Sequence, residues 1–179
     1  GLLFDLRSAK VRSRLAGDPE AQALIERLIA QVEDMPVTGR IPAEMNPLKQ
    51  RLVRFNPLLE AGDEVNYALR PNSITVTGAV ETDCQLTYSY ATNLYDYLAA
   101  CPAHPLASAD TLYLIQPNGA VKRLGSGHWN QQDAPVAVGA TLYVPIDAAA
   151  LTADDEPETF NDDMAAFIAT QTPAQERVR

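Results

Sequence analysis

Between residues 72 and 146 the chain alternates in a way that few folds accommodate. Ile74 and Val76, and past Gly78 also Val80, alternate with Thr75 and Thr77. After the polar loop 81–83, Leu86, Tyr88 and Tyr90 alternate again. Successive strand side chains point to opposite faces, so each run reads as a strand with one buried face, and the short polar turn joins them as a hairpin. Thr92 or Asn93 then caps a helix carrying Leu94, Tyr95, Leu98 and Ala99, closed by Pro102. Residues 112–115 are almost continuously apolar, which predicts a central strand covered on both faces. Pro117-Asn118-Gly119 turns the chain into a return strand over 121–124, and the glycine turn at Gly139 leads into a last strand over 141–144. Hairpin, helix, strand, return strand and final strand is the β-grasp order, a mixed sheet clasping one helix. The expected fold class is therefore α+β, built from β-grasp modules with helical segments and a C-terminal amphipathic helix.

Upstream the signals are helical first and mixed later. Residues 2–7 read as a short strand and residues 7–15 as a first helical arm. Asp18-Pro19-Glu20 is a helix start, with Asp as N-cap, Pro at the first helical position and an acid in the first turn. Leu24, Ile25, Leu28, Ile29 and Val32 form one stripe, and Pro36 ends it. Residues 37–41 suggest a strand. Asn46-Pro47 and Asn56-Pro57 mark turns, with Leu48, Leu52 and Val53 between them on a strand or short helix. Val65, Tyr67 and Leu69 alternate after Gly62-Asp63 and predict a strand, and Arg70-Pro71-Asn72 reads as a module boundary. At the other end, a spacer over 147–159 precedes an amphipathic helix capped by Thr159 or Asn161. Its Met164, Phe167 and Ile168 share a face expected to pack on the body. Pro173 stops that helix before a frayed tail. The expected division is 1–70 as a helical segment plus an incomplete first β-grasp module, 71–147 as the second module, and 148–179 as acidic spacer and helix.

Charge narrows the partners. Twenty-three acids against 14 bases give a formal net charge of −9. Nucleic acid is disfavoured, because a basic footprint is what supplies phosphate affinity, and so is adsorption to anionic lipid. No apolar run reaches the length of about 18 residues that a membrane helix needs, so direct membrane insertion is not expected. With Gly1 followed at once by Leu2-Leu3-Phe4-Asp5, no signal peptide is expected within these residues, which says little about compartment.

Chemistry-bearing residues are few. Cys84 begins the second hairpin strand and Cys101 ends the following helix; the two elements run back against each other, which favours a disulfide in an oxidising compartment. The alternatives are two unpaired thiols, or zinc held by Cys84, Cys101 and His104 with Asp83 or Asp110. Ser126 and His128 lie too close along the chain to align as a triad, and residues 125–127 are not a nucleophile elbow. No catalytic, metal or cofactor site is expected. Arg40 follows Val37-Thr38-Gly39. It either grips an anionic sugar through its planar fork or, the favoured reading, bonds to carbonyls at the joint between modules. Trp129, the single tryptophan, would be a sugar platform if exposed, but burial is the commoner outcome. Tyr88, Tyr90, Tyr95, Tyr97, Tyr113 and Tyr143 cluster in the second module, and most are expected half-buried with their hydroxyls at the rim.

Seven phrases, in order, carry a resemblance: residues 35–40 (MPVTGR), 56–63 (NPLLEAGD), 70–78 (RPNSITVTG), 96–98 (DYL), 115–119 (IQPNG), 128–130 (HWN) and 139–145 (GATLYVP). Together they span roughly residues 30–170, and their order and spacing resemble the GfcC-like capsule and exopolysaccharide biosynthesis family. The resemblance implies a periplasmic, non-enzymatic protein of two β-grasp modules, akin to those of outer-membrane polysaccharide export proteins. It implies surface polysaccharide or that export machinery as partner, and no cofactor. Whole members have a signal peptide and further strands before the helical segment, so the first module here is expected to be incomplete. The rival expectations are a glycan-active enzyme with unidentified carboxylates and a ligand-free structural adaptor. A ligand is expected in the cleft between the modules, where Arg40 and Arg70 would meet an acidic sugar, with Trp129 as a further candidate.

Overall fold

A computed structural model describes residues 1–37, 39–41, 46–52, 58–65, 71–147 and 157–171. The elements are α1 (Leu2–Ala16), α2 (Pro19–Asp34), α3 (Pro47–Gln50), β1 (Ser73–Gly78), β2 (Cys84–Thr87), α4 (Leu94–Ala99), β3 (Thr111–Ile115), β4 (Val121–Gly125), β5 (Thr141–Val144) and α5 (Pro157–Ala169). The fold is α+β. The five strands form one mixed sheet in the order β2-β1-β5-β3-β4, with β1 and β5 parallel and the other pairs antiparallel.

Register assigns the two faces. Val76 pairs with Leu142, Leu142 with Leu114, and Leu112 with Leu124, so these side chains share a face, all of them almost fully buried. That face is covered by α4, which lies against β1 and buries Leu94 and Tyr97. Leu98 is partly buried against the same core. On the opposite face Thr77 pairs with Tyr143 and Tyr143 with Tyr113. Here α5 docks, and Gln31 of α2 donates to the Thr77 hydroxyl at 2.9 Å. The sheet centre is thus covered on both sides, and β3 is buried at four of its five positions. Gly78 ends β1 at φ +101°, where a Cβ would stand 2.3 Å from the Val144 carbonyl oxygen, so only glycine lets the two strands close there.

The helices follow their local chemistry. Asp18 accepts from the Ala21 amide at 2.9 Å, and Pro19 opens α2. Asn93, not Thr92, caps α4 in a capping box with Asp96. α1 lies along α2, and the buried Leu6, Ala9, Leu24, Ile25, Leu28 and Val32 join the same core as the sheet. Two exposed ion pairs, Arg7–Glu33 and Lys10–Glu26, line that hairpin and contribute little. Hydrogen bonds from Gln22 and Lys10 hold the Glu26 carboxyl below its ordinary range.

Several expectations are corrected. Residues 2–7 are not a strand but the first turns of α1: a short apolar run is ambiguous until its partner is known, and α2 offers a helical groove. The described residues of 37–41 form no strand, and Val37 is 89% exposed. Leu48 sits in the single turn α3, and Leu52 follows it. β2 ends at Thr87, so Tyr88 and Tyr90 lie beyond it, and Tyr90 is exposed. α5 starts at Pro157, which places Thr159 and Asn161 inside the helix and not at its cap. Tyr113 and Tyr143 are buried, not half-buried. The expected strand over 65–69 falls outside the described residues except for Val65, which is exposed and irregular. Arg70, Val53, the Asn56-Pro57 turn, most of the 147–159 spacer and Pro173 also lie outside them.

Candidate functional site

A groove of about 600 Å³ lies at one end of the sheet. Its floor is buried: Tyr113 of β3, Pro145 and Ile146 just after β5, and Asn161 of α5. Its rim is exposed: Asp110 and Asp147 together with Arg123, His128 and Trp129.

Each wall is held by backbone bonds from distant segments. On one side Ser108 N–H donates to the Pro145 carbonyl and Asp147 N–H to the Leu106 carbonyl, at 2.9 and 2.8 Å. On the other, the loop 126–130 folds back on residue 110. Ser126 N–H and the Asn130 side-chain amide both donate to the Asp110 carbonyl at 3.0 Å, and Asn130 N–H closes a turn onto the Gly127 carbonyl. Asn130 Oδ1 is buried there with no hydrogen-bond partner among the described residues. A Cβ at Gly127 would stand 3.1 to 3.3 Å from Asn130 Oδ1, Asp110 Cβ and Trp129 Nε1. The turn therefore projects Trp129 outward, and the indole is 80% exposed, which corrects the expectation of burial.

The polar groups of the groove are oriented. Asp110 Oδ1 accepts from the hydroxyls of Ser108 and Thr111 at 3.1 and 3.2 Å. Tyr113 donates to Asp162 Oδ1 at 2.5 Å, and Tyr143 beneath it donates to Asn161 Oδ1 at 3.0 Å. Burial, and secondarily the neighbouring Tyr113, push the Tyr143 hydroxyl far above its ordinary pKa. It is a fixed donor at physiological pH.

The other candidates lie elsewhere. Arg40 donates to the carbonyls of Pro117 and Gln171 at 2.7 and 2.8 Å, tying the segment after α2 to the β3–β4 turn and the end of α5. Near it, a shallower pocket of about 410 Å³ is lined by Gln31, Asp34, Met35, Pro36 and Gln171. Arg40 and Trp129 thus belong to separate places, and Arg70 lies outside the described residues. Cys84 and Cys101 are joined in a disulfide, which takes both thiols out of the zinc alternative, and His104 Nδ1 accepts from the Leu106 amide. No group of three or more metal-ligating His, Cys, Asp or Glu side chains occurs among the described residues.

Sequence reasoning singled out Trp129 but not the groove. Asp110, Asp147 and Arg123 stand at no recognisable spacing, and only strand pairing and the turns after β4 and β5 bring them together. Arg27 was missed altogether. From α2 it donates to the carbonyls of Gly78, Val80 and Glu81, clamping the helix to the turn after β1. A lone arginine on the polar edge of a helix carries no signal of that role.

No helix among the described residues is long and apolar enough to cross a membrane. Residues 82–173 match the family model described as capsule biosynthesis GfcC C-terminal. The match takes in slightly more than half of the chain, from the turn before β2 through α5, and includes every residue that lines the groove. A sheet, a helix and a groove that lie almost wholly within that match make this chain a member of the GfcC capsule biosynthesis family.

Proposed function

We propose that the protein is a non-enzymatic periplasmic component of capsule assembly or export, and that it acts by holding polysaccharide in the Trp129 groove. The observation that carries this reading is the indole itself, 80% exposed at the rim of a concave site with a buried aromatic and apolar floor. A large apolar side chain held out of the core by a tight turn costs solvation unless something covers it, and a pyranose ring presents the C–H face that an indole stacks on. The disulfide supports an oxidising compartment such as the periplasm. The strand order β2-β1-β5-β3-β4, with α4 between the hairpin and β3, supports reading residues 71–147 as a β-grasp module like those of polysaccharide export proteins. Such a module offers those proteins a docking partner.

A second reading keeps a place because Asp110 and Asp147 line the same groove, and glycan cleavage uses a pair of carboxylates. Calorimetric titration of the protein with fragments of the capsule polymer tests the first reading, with Trp129→Ala as the control. Binding in the parent that falls at least about fivefold in the variant supports a sugar platform, since stacking on an aromatic is worth about 1 kcal/mol. Shortening of the polymer chain on prolonged incubation with the parent would replace that reading with a glycan-active enzyme. No binding and no shortening would leave a structural adaptor.

A further inference from the structure

We propose that the groove is specific for uncharged sugar units and discriminates against uronates; this deepens the glycan-binding reading above and rests on it. The sequence led to the opposite expectation, an acidic sugar met by Arg40 and Arg70. Arg40 is not at the groove, and its guanidinium donates to the Pro117 and Gln171 carbonyls. At the groove itself, two exposed carboxylates, Asp110 and Asp147, face one arginine, Arg123. A third carboxylate, the exposed Asp162, accepts the hydroxyl of the floor residue Tyr113. The chain as a whole, these residues included, carries a formal net charge of −9.

Hydroxyl chemistry fits this lining. Carboxylate oxygens are strong acceptors and the hydroxyls of a sugar are donors, so Asp110 and Asp147 can each take hydroxyl protons from a pyranose stacked on Trp129. Asp110 is already held in place by Ser108 and Thr111, which lowers the ordering cost of that contact. Arg123, His128 and Trp129 share the rim with these carboxylates. A uronate would trade one hydroxyl for a carboxylate among these acceptors, losing a donor and adding repulsion. The volume, about 600 Å³, lies in the range typical of ligand sites, roughly 300–1,000 Å³.

The test uses matched fragments of the capsule polysaccharide that differ only in charge. Uronates are reduced to primary alcohols or, where the polymer has none, primary hydroxyls are oxidised to carboxylates. Both forms are titrated into the full chain by calorimetry at low and high salt. The uncharged form should bind at least about threefold more tightly at low salt, the effect of one unscreened like-charge contact across a wet groove. The gap should close near 0.5 M salt, as the screening length falls to a few Å. Asp110→Asn keeps an acceptor at Oδ1 but removes the charge, and it should narrow the gap by improving binding of the charged form. Asp147→Asn serves the same purpose if the first variant melts early. Tighter binding of the charged form, or a gap that neither variant changes, would overturn the selectivity and leave glycan binding standing. Failure of both forms to bind would instead overturn the glycan-binding reading and this inference with it.

Discussion

The Tyr143 hydroxyl donates to Asn161 Oδ1 at 3.0 Å inside the core, joining the central strand β5 to α5 where both residues are buried. The same Asn161 oxygen accepts from the Ile146 amide at 3.2 Å, and its amide donates to the Ile146 carbonyl at 2.9 Å. One side chain therefore satisfies three buried polar groups, and it forms part of the floor of the groove. Asn161→Ala should cost about 3 kcal/mol or more, because it strands a hydroxyl, an N–H and a carbonyl at once. Tyr143→Phe should cost only about 1 kcal/mol, since Asn161 keeps its bonds to Ile146. Urea denaturation of the two variants checks the order; equal losses would mean that Asn161 does not carry this role.

Tyr143 also sets an alkaline limit. Its folded pKa is raised by burial above the unfolded value of about 10, so its contribution is fully present below pH 10 and declines as pH rises beyond it. Above pH 10 the unfolded chain releases a proton that the folded chain keeps, and stability should fall by up to about 1.4 kcal/mol per pH unit from this residue. Denaturation midpoints of parent and Tyr143→Phe measured from pH 8 to 11 should converge at the alkaline end. A constant difference across that range would remove Tyr143 as the cause.

Arg27 predicts a different signature. Its guanidinium donates to three carbonyls after β1, two through one nitrogen and one through the other. Arg27→Lys keeps the charge but cannot reproduce the fork, so it should lose nearly as much as Arg27→Ala, about 2 kcal/mol. If lysine restores full stability in thermal melts, charge alone anchors α2.

The α4 anchor can be located by paired substitutions. Leu94 is fully buried and Leu98 only partly so. Leu94→Ala should cost about 2–5 kcal/mol, the usual range for a buried leucine, and Leu98→Ala clearly less. Chevron or equilibrium unfolding of both variants decides it, and the reverse order would place the helix rotated from its observed face.

Reduction should loosen the same region. The Cys84–Cys101 disulfide closes a loop of 17 positions between β2 and the end of α4, for which loop entropy gives about 3 kcal/mol. Melting with and without reductant, and the Cys84→Ala/Cys101→Ala double variant, should agree on that loss. Peptide mapping that finds two free thiols in the oxidised protein would exclude it.

Much of this molecule is legible one residue at a time. The succession of strands and helix over 72–146, the caps at Asp18 and Asn93 and the buried stripe of α2 follow from local rules: side-chain period, capping donors and turn residues act within a few positions. What those rules leave undecided depends on partners far along the chain. Residues 2–7 became helix because α2 offers a groove for Leu6 and Ala9, and an apolar run that short fits strand or helix alone. Asn161 looked like a cap and is a core hub because α5 begins one turn earlier and rests on Tyr143. Arg40 finds its acceptors 77 and 131 residues away, and no spacing rule reaches that far. Trp129 faces solvent because the turn that carries it is pinned to residue 110, twenty positions back along the chain. The candidate site shares this origin, since a groove is a relation among segments that only packing brings together.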